Sequence, residues 1–322
     1  MSPLSSYSRQ NARVAMNGSR MKLGTAPISW GVCEVPDWGV VLPAARVLDE
    51  VAELGYAGIE LGPWGYLPKD AATLGKELRR RSLALAGAFC PVTLHDPERY
   101  DEQLAYAMDT ARLLADLGAP VLVLAEAGDR ARARSAGRVG ADDRRFRDDE
   151  WQRVAEGANE IARRAKELGL VTAFHPHAGT YVETPVETAE LLRRTDPALV
   201  GLCLDTGHVY YGGGDPLALL RRDPGRVRHV HLKDVHRERY ERALARRLDF
   251  TAAVGTDVFV PVGAGAIDMK GLLGTLRDAA FTGWLIVEQD IRIAPDSDRE
   301  PKRDAAASYA FIAKELAMKE LA

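Results

Sequence analysis

Short apolar runs alternate along the chain with longer stretches whose apolar residues recur every three or four positions, and eight such pairs can be counted from Met21 onward. The runs predict strands over residues 23–30, 58–61, 83–89, 120–124, 171–174, 200–205, 227–232 and 284–288. Several are apolar throughout, the pattern of parallel strands covered on both faces. The intervening stretches predict amphipathic helices over 43–54, 71–81, 97–117, 149–168, 185–194, 216–222, 269–280 and 303–321. Their starts carry Pro at or near the first turn, with Asp or Glu close behind.

Strand–helix alternation suits both an open doubly wound sheet and a closed barrel, so the count has to decide. Eight units favour an α/β fold of the (β/α)8 TIM-barrel type. An open sheet would usually carry a Gly-rich phosphate turn after its first strand, and here that turn reads Ile28-Ser29-Trp30-Gly31-Val32-Cys33. The expected organisation is a disordered or peripheral tail over residues 1–20 and one barrel domain over 21–322. The stretch Asp129 to Arg147, rich in Arg and Ala, follows the fourth strand and is long for a βα loop, which makes it a candidate lid or a solvated excursion.

Composition narrows the picture further. The chain has 322 residues, 46% of them hydrophobic, with 43 basic against 46 acidic side chains, so nothing in the charge balance favours nucleic acid. Cys33, Cys90 and Cys203 are three widely spaced cysteines without a CxxC, which fits neither a disulfide framework nor a thiolate zinc site and suits the cytoplasm. No apolar run is long enough to span a bilayer. The expected partner is a small molecule, with a homo-oligomer as an option.

In a closed barrel the βα loops build the site, so polar residues at successive strand ends should converge. The fourth strand ends at Glu126, the fifth at His175-Pro176-His177, the sixth at Asp205-Thr206-Gly207-His208, the seventh runs His229-Val230-His231-Leu232-Lys233-Asp234, and the eighth ends at Glu288-Gln289-Asp290. Six of the seven histidines lie between His175 and His236. Any one of these alone would be a helix cap or a core histidine, and we read His229 as core and Asp234 as a cap. Together, mixed carboxylate and imidazole donors suit a divalent cation, Mn²⁺, Co²⁺ or Zn²⁺ better than Mg²⁺. Glu60 is a candidate contact for a substrate hydroxyl, and Trp30 a candidate apolar wall. There is no GxSxG to support acyl transfer.

At these residues the chain resembles the xylose-isomerase-like, endonuclease IV-like barrel superfamily, and within it the inosose dehydratases of inositol catabolism. The resemblance runs from Gly24-Thr25-Ala26-Pro27-Ile28-Ser29-Trp30 through the His175, DTGH and HxHxKD blocks to Gly283-Trp284-Leu285-Ile286-Val287-Glu288. It implies a divalent cation, Mn²⁺ or Co²⁺, on Asp205, His231 and Glu288. Where many relatives end the fifth strand with Glu, this chain has His175, so the fourth ligand is His175 or Glu126. The implied reaction is metal-assisted dehydration of a keto-cyclitol such as 2-keto-myo-inositol, with His177 or a carboxylate such as Glu126 as base and Lys233 or His208 acting on oxygen. The alternatives are isomerisation or epimerisation of a sugar or keto-sugar, elimination from a keto-glycoside, a nuclease, and a silent sugar-binding protein.

Overall fold

Eight parallel strands close a ring only if the last hydrogen-bonds back to the first, and in the computed structural model, which describes residues 21–317, they do. The eighth strand, Gly283–Val287, pairs in parallel with the first, Met21–Thr25. The remaining pairings follow the chain: Gly58–Ile59, a third strand split into Ala84–Leu85 and Gly87–Val92, then Val121–Glu126, Val171–Phe174, Val200–Asp205 and Val227–Leu232. The split at Ala86 completes the ring, because the first half pairs with the second strand and the second half with the fourth. Every residue of Val121–Glu126 and Val200–Asp205 is buried, as the unbroken apolar runs require. The fold is therefore the (β/α)8 barrel expected from the count of units.

The fifth, sixth and seventh strands and the helices Pro185–Arg194 and Pro216–Arg222 have the bounds expected. The first strand does not run to Trp30. Pro27 opens a 3-10 turn, Pro27–Trp30, which Gly31 ends at φ 75, a left-handed conformation suited to glycine. The third and fourth strands run further than expected, to Val92 and Glu126, carrying Glu126 to the barrel rim. The tail expected over 1–20 and the end of the helix expected to reach residue 321 lie outside the described residues. Among those described, no helix is long and apolar enough to cross a membrane.

Four short helices went unforeseen: Arg130–Ser135, Thr206–Tyr211, Arg237–Ala245 and Phe250–Val254. The last two form an excursion after the seventh strand, tied down by an antiparallel ribbon of Asp234–Val235 with Phe259–Val260. Arg237–Ala245 buries only Ala243, so its sequence carries almost no apolar stripe to betray a helix.

The Arg-rich stretch after the fourth strand is pinned, which removes the reading of it as a free lid. Arg132 is fully buried and makes a two-pronged pair with Glu187, 2.9 Å on each arm, while its Nε donates to Thr180 O at 2.8 Å. Gly137 N–H donates to Glu183 Oε1 at 2.6 Å and Tyr181 Oη–H to Asp129 Oδ2 at 2.7 Å. These bonds clamp the fourth βα loop to the fifth. Removing one partner of a buried ion pair strands the other charge. Arg132→Ala should therefore cost about 3–5 kcal/mol in urea unfolding. The exposed neighbour Arg130→Ala should change stability by less than about 0.5 kcal/mol. Equal effects would show that the clamp contributes nothing specific.

Candidate metal centre

On the seventh strand His229 and His231 project to one face, and Lys233 continues the alternation just beyond the strand end. Beneath them lies Glu60, just past the second strand. Its Oε1 accepts from His229 Nε2 at 2.7 Å and from His231 Nε2 at 3.2 Å. A carboxylate only accepts, so each imidazole presents a proton on Nε2 to Glu60. His231 Nδ1 is thereby turned outward, 3.2 Å from Glu288 Oε2 and 3.7 Å from Asp205 Oδ2.

Asp205 divides its two oxygens between structure and chemistry. Oδ1 caps the helix Thr206–Tyr211 by accepting from His208 N at 2.8 Å, while Oδ2 is buried and faces the Lys233 ammonium, 3.2 Å away. His231 Nδ1 is buried as well. One ligand atom each from Asp205, His231 and Glu288 lie within 4.8 Å of one another. His175 Nε2 is 3.4 Å from the same Asp205 Oδ2. Two carboxylate oxygens and an imidazole nitrogen converge here in a buried site, where Lys233 supplies one positive charge, 3.2 Å from Asp205 Oδ2 and 3.1 Å from Glu288 Oε2. The donor set therefore fits a divalent ion.

Glu126, the other candidate for the fourth ligand, stands apart from this group. Its oxygens accept from Leu94 N at 3.0 Å, from His95 N at 3.2 Å and from His95 Nδ1 at 2.6 Å, so the carboxylate is spent on holding the third βα loop. Geometry favours His175.

Lys233 is buried in the middle of the charged groups. Its Nζ lies 2.7 Å from Asp290 Oδ1, 3.1 Å from Glu288 Oε2, 3.2 Å from Asp205 Oδ2 and 2.8 Å from His208 Nε2. Burial alone would lower its pKa, but Asp205, Asp290 and Glu288 outweigh burial and keep it an ammonium. Gly207 makes room for it, since a Cβ there would come within 2.5 Å of Lys233 Cγ. Burial pushes the Asp290 carboxyl up to about 6, and Lys233 opposes it. Burial also drives the His177 pKa down to about 3, helped by the charges of His175 and Lys233. His177 Nδ1 is 2.8 Å from Ala178 O, an acceptor, so the proton sits there and Nε2 is left free to take another. The His177 and His208 rings lie against each other with centroids 3.7 Å apart.

A cavity of about 260 Å³ opens over these groups, lined by Glu60, Glu126, His175, His177, His208, Lys233, Glu288 and Asp290. Trp30 does not line it. That side chain is fully buried in the core, its indole N–H donating to Glu50 Oε2 at 2.7 Å, because the 3-10 turn swings it away from the barrel mouth. Trp38, Phe89 and Phe250 supply the aromatic walls instead. Glu60 reaches the cavity, but its bonds to His229 and His231 make it the residue that orients them. Asp234 caps no helix. It accepts from the backbone N–H groups of Val235, Gly263, Gly265 and Ile267 and so anchors the loop behind the ribbon.

Sequence reasoning assigned no role to Asp290 or Phe250. Asp290 had a signal, since it sits two residues beyond Glu288, whereas Phe250 had none.

The model of the xylose isomerase-like TIM barrel matches residues 48–315. An inosose dehydratase of Geobacillus kaustophilus is 35% identical over 299 residues, covering 91% of this chain and 92% of that protein. Two solved structures share the fold at 17% identity. The probable 3-DHS dehydratase AsbF of Bacillus anthracis has a TM-score of 0.68, covering 91% of this chain and 98% of its own. The IOLI protein with a bound zinc atom has a TM-score of 0.67, covering 92% of this chain and 99% of its own.

Metal-stripped protein reloaded with Mn²⁺ should take up about one ion per chain, because Asp205, His231 and Glu288 converge on one point with His175 beside them. Elemental analysis checks the stoichiometry. Glu60→Gln should weaken uptake by about 10- to 100-fold, the usual effect of losing the group that orients a ligand. Glu126→Gln should leave uptake nearly unchanged. Full occupancy in an Asp205/His231/Glu288 triple alanine variant would remove the assignment.

Proposed function

Since this chain belongs to the xylose isomerase-like TIM-barrel family, among its inosose dehydratase-like members, we propose that it is a metal-dependent dehydratase of a keto-cyclitol such as 2-keto-myo-inositol. The observation that carries the reading is the convergence of Asp205, His231 and Glu288 beside a buried ammonium, Lys233, and an imidazole, His177, with a free Nε2. Acid, base and charge stabiliser thus face one cavity.

A divalent cation held by Asp205, His231 and Glu288, with His175 as the further donor, would supply Lewis acidity and make the C–H beside a ketone acidic; Mn²⁺ or Co²⁺ suits the donors best. The ketone and a neighbouring hydroxyl face these residues. His177 Nε2 takes the proton from the α-carbon, and the released electron pair moves onto the ketone oxygen to give an enediolate. The Lys233 ammonium offsets the developing oxygen charge. Electrons then return from that oxygen, the C–O bond at the β-carbon breaks, and the departing hydroxyl takes a proton from Lys233 or, through it, from Asp290. Water leaves, and the remaining enol rearranges to the diketone. The ring loses one water and undergoes no net oxidation. Glu60 holds His231 in register, and Phe250 and Trp38 keep bulk water from the intermediate.

The same reading places the enzyme in the cytoplasm, acting on a small molecule; the three free cysteines are in keeping with a reducing compartment.

Incubated with Mn²⁺ and 2-keto-myo-inositol, the protein should form an ultraviolet-absorbing diketone with loss of water. Lys233→Ala should lower kcat by about 100-fold or more while KM changes little, the split expected of a group acting in the transition state. Run in D₂O and followed by NMR, deuterium at the α-carbon with every hydroxyl retained would contradict dehydration and make the protein an epimerase or isomerase.

A further inference from the structure

Strand pairing puts a thiol one step beneath the carboxylate of the metal centre. On the sixth strand Asp205 and Cys203 project to the same face, about 6–7 Å apart along the strand. They pair in register with His231 and His229 of the seventh. On the other side the fifth strand pairs Phe174 with Leu202, which brings the next residue, His175, beside Cys203. Cys203 is fully buried, packs in one cluster with Val121, Val123 and Ala173, and does not line the cavity.

A buried free cysteine usually serves as a small hydrophobe. The upper side of this one is not apolar. One ligand atom each from Cys203, His175 and His231 lie within 4.8 Å of one another, and all three residues are buried. His175 Nδ1 is buried without a hydrogen-bond partner, while Nε2 of the same ring is the nitrogen that faces Asp205 Oδ2 at 3.4 Å. That ring therefore has a second nitrogen to offer. Two imidazoles thus stand between unlike donors, the oxygens of Asp205 and Glu288 on one side and a sulfur on the other. Carboxylate oxygens suit Mn²⁺, whereas a thiolate selects Zn²⁺.

We propose that Cys203, His175 and His231 form a second, deeper cation position, which takes a thiophilic ion such as Zn²⁺ in place of the Mn²⁺ held by Asp205, His231 and Glu288. The exclusion of one ion by the other rests on the metal centre described above: Glu60 engages His231 Nε2 and leaves that ring one nitrogen, Nδ1, for either ion. As the sulfur–metal bond forms, the thiol proton passes to solvent, and no oxidation state changes. Because Cys203 does not line the cavity, an ion drawn to it sits further from a bound ketone, so zinc opposes the chemistry that manganese supports.

X-ray absorption at the zinc edge tests the position in metal-stripped protein given one equivalent of Zn²⁺. One sulfur at about 2.3 Å and nitrogens at about 2.0–2.1 Å are expected. In Cys203→Ser the sulfur should vanish from the spectrum. Zinc affinity, read by competition with a chromophoric chelator, should fall by about 10-fold or more, at least the loss that follows removal of a group that only orients a ligand. Mn²⁺ uptake by the same variant should be unchanged, which also shows that it is folded. Asp205→Asn should do the reverse and weaken Mn²⁺ uptake more than zinc uptake. Elemental analysis should find Zn²⁺ displacing Mn²⁺ one for one, and both ions held at once would overturn the exclusion. Sulfur-bound zinc in a protein that takes up no Mn²⁺ would support the deeper position while sinking the manganese centre. Zinc without sulfur, held equally by the wild type and Cys203→Ser, would overturn the inference and leave that centre, and the dehydratase reading built on it, standing.

Discussion

One oxygen atom sets the geometry of the barrel mouth. Glu60 Oε1 takes hydrogen bonds from two histidines on the seventh strand, and by doing so fixes which nitrogen of His231 faces Asp205 and Glu288. Without that acceptor, the ring could turn or carry its proton on the other nitrogen, and the lone pair would be lost to the site. Burial penalises the charge of Glu60, but His231 and His229 outweigh it and hold the carboxyl well below the usual range. The ionised form persists in the core because it is paired.

The remaining charges follow the same economy. Lys233 sits among three carboxylates and beside His208, and Gly207 is the residue that lets its stem pass. Thr206 ties the sixth strand end to the seventh, accepting from Lys233 N at 2.9 Å and donating to Lys233 O at 2.6 Å. Burying ionisable groups at this density contributes little to folding, since desolvation offsets most of the attraction. Its benefit is a set of donors and a proton acceptor already aligned before a ligand arrives. The clamp of Arg132 on Glu187 serves the same end from outside, holding still the loop that carries His177.

Much of this was legible in the sequence, and the parts that were not have physical reasons. The fifth and sixth strands were bounded correctly because their apolar runs end abruptly on His175 and Asp205. Asp205 allowed two readings, cap or ligand, and the structure uses one oxygen for a helix cap and turns the other toward Lys233, His175 and His231. Trp30 was misplaced because a strand was extended through Pro27, and a side chain's direction reverses with such a turn. The sequence left Glu126 and His175 as alternatives because the partners of Glu126, the Leu94 and His95 amides and the His95 ring, come from a loop that strand-end spacing does not locate. The cover over the cavity was missed altogether. Phe250 reaches the site from a charged, weakly amphipathic excursion whose position depends on the ribbon and on Asp234 gathering four amides.

Everything at the barrel mouth depends on Glu60 turning His231 toward a cation shared with Asp205 and Glu288. Crystals of the Mn²⁺-loaded protein, measured for anomalous scattering at the manganese edge, test that claim directly. One strong peak is expected about 2.0–2.3 Å from Asp205 Oδ2, His231 Nδ1 and a Glu288 oxygen, with His175 Nε2 completing the set. A peak coordinated by Glu126 and His95, or a His231 ring bound through Nε2 with Glu60 displaced, would contradict it.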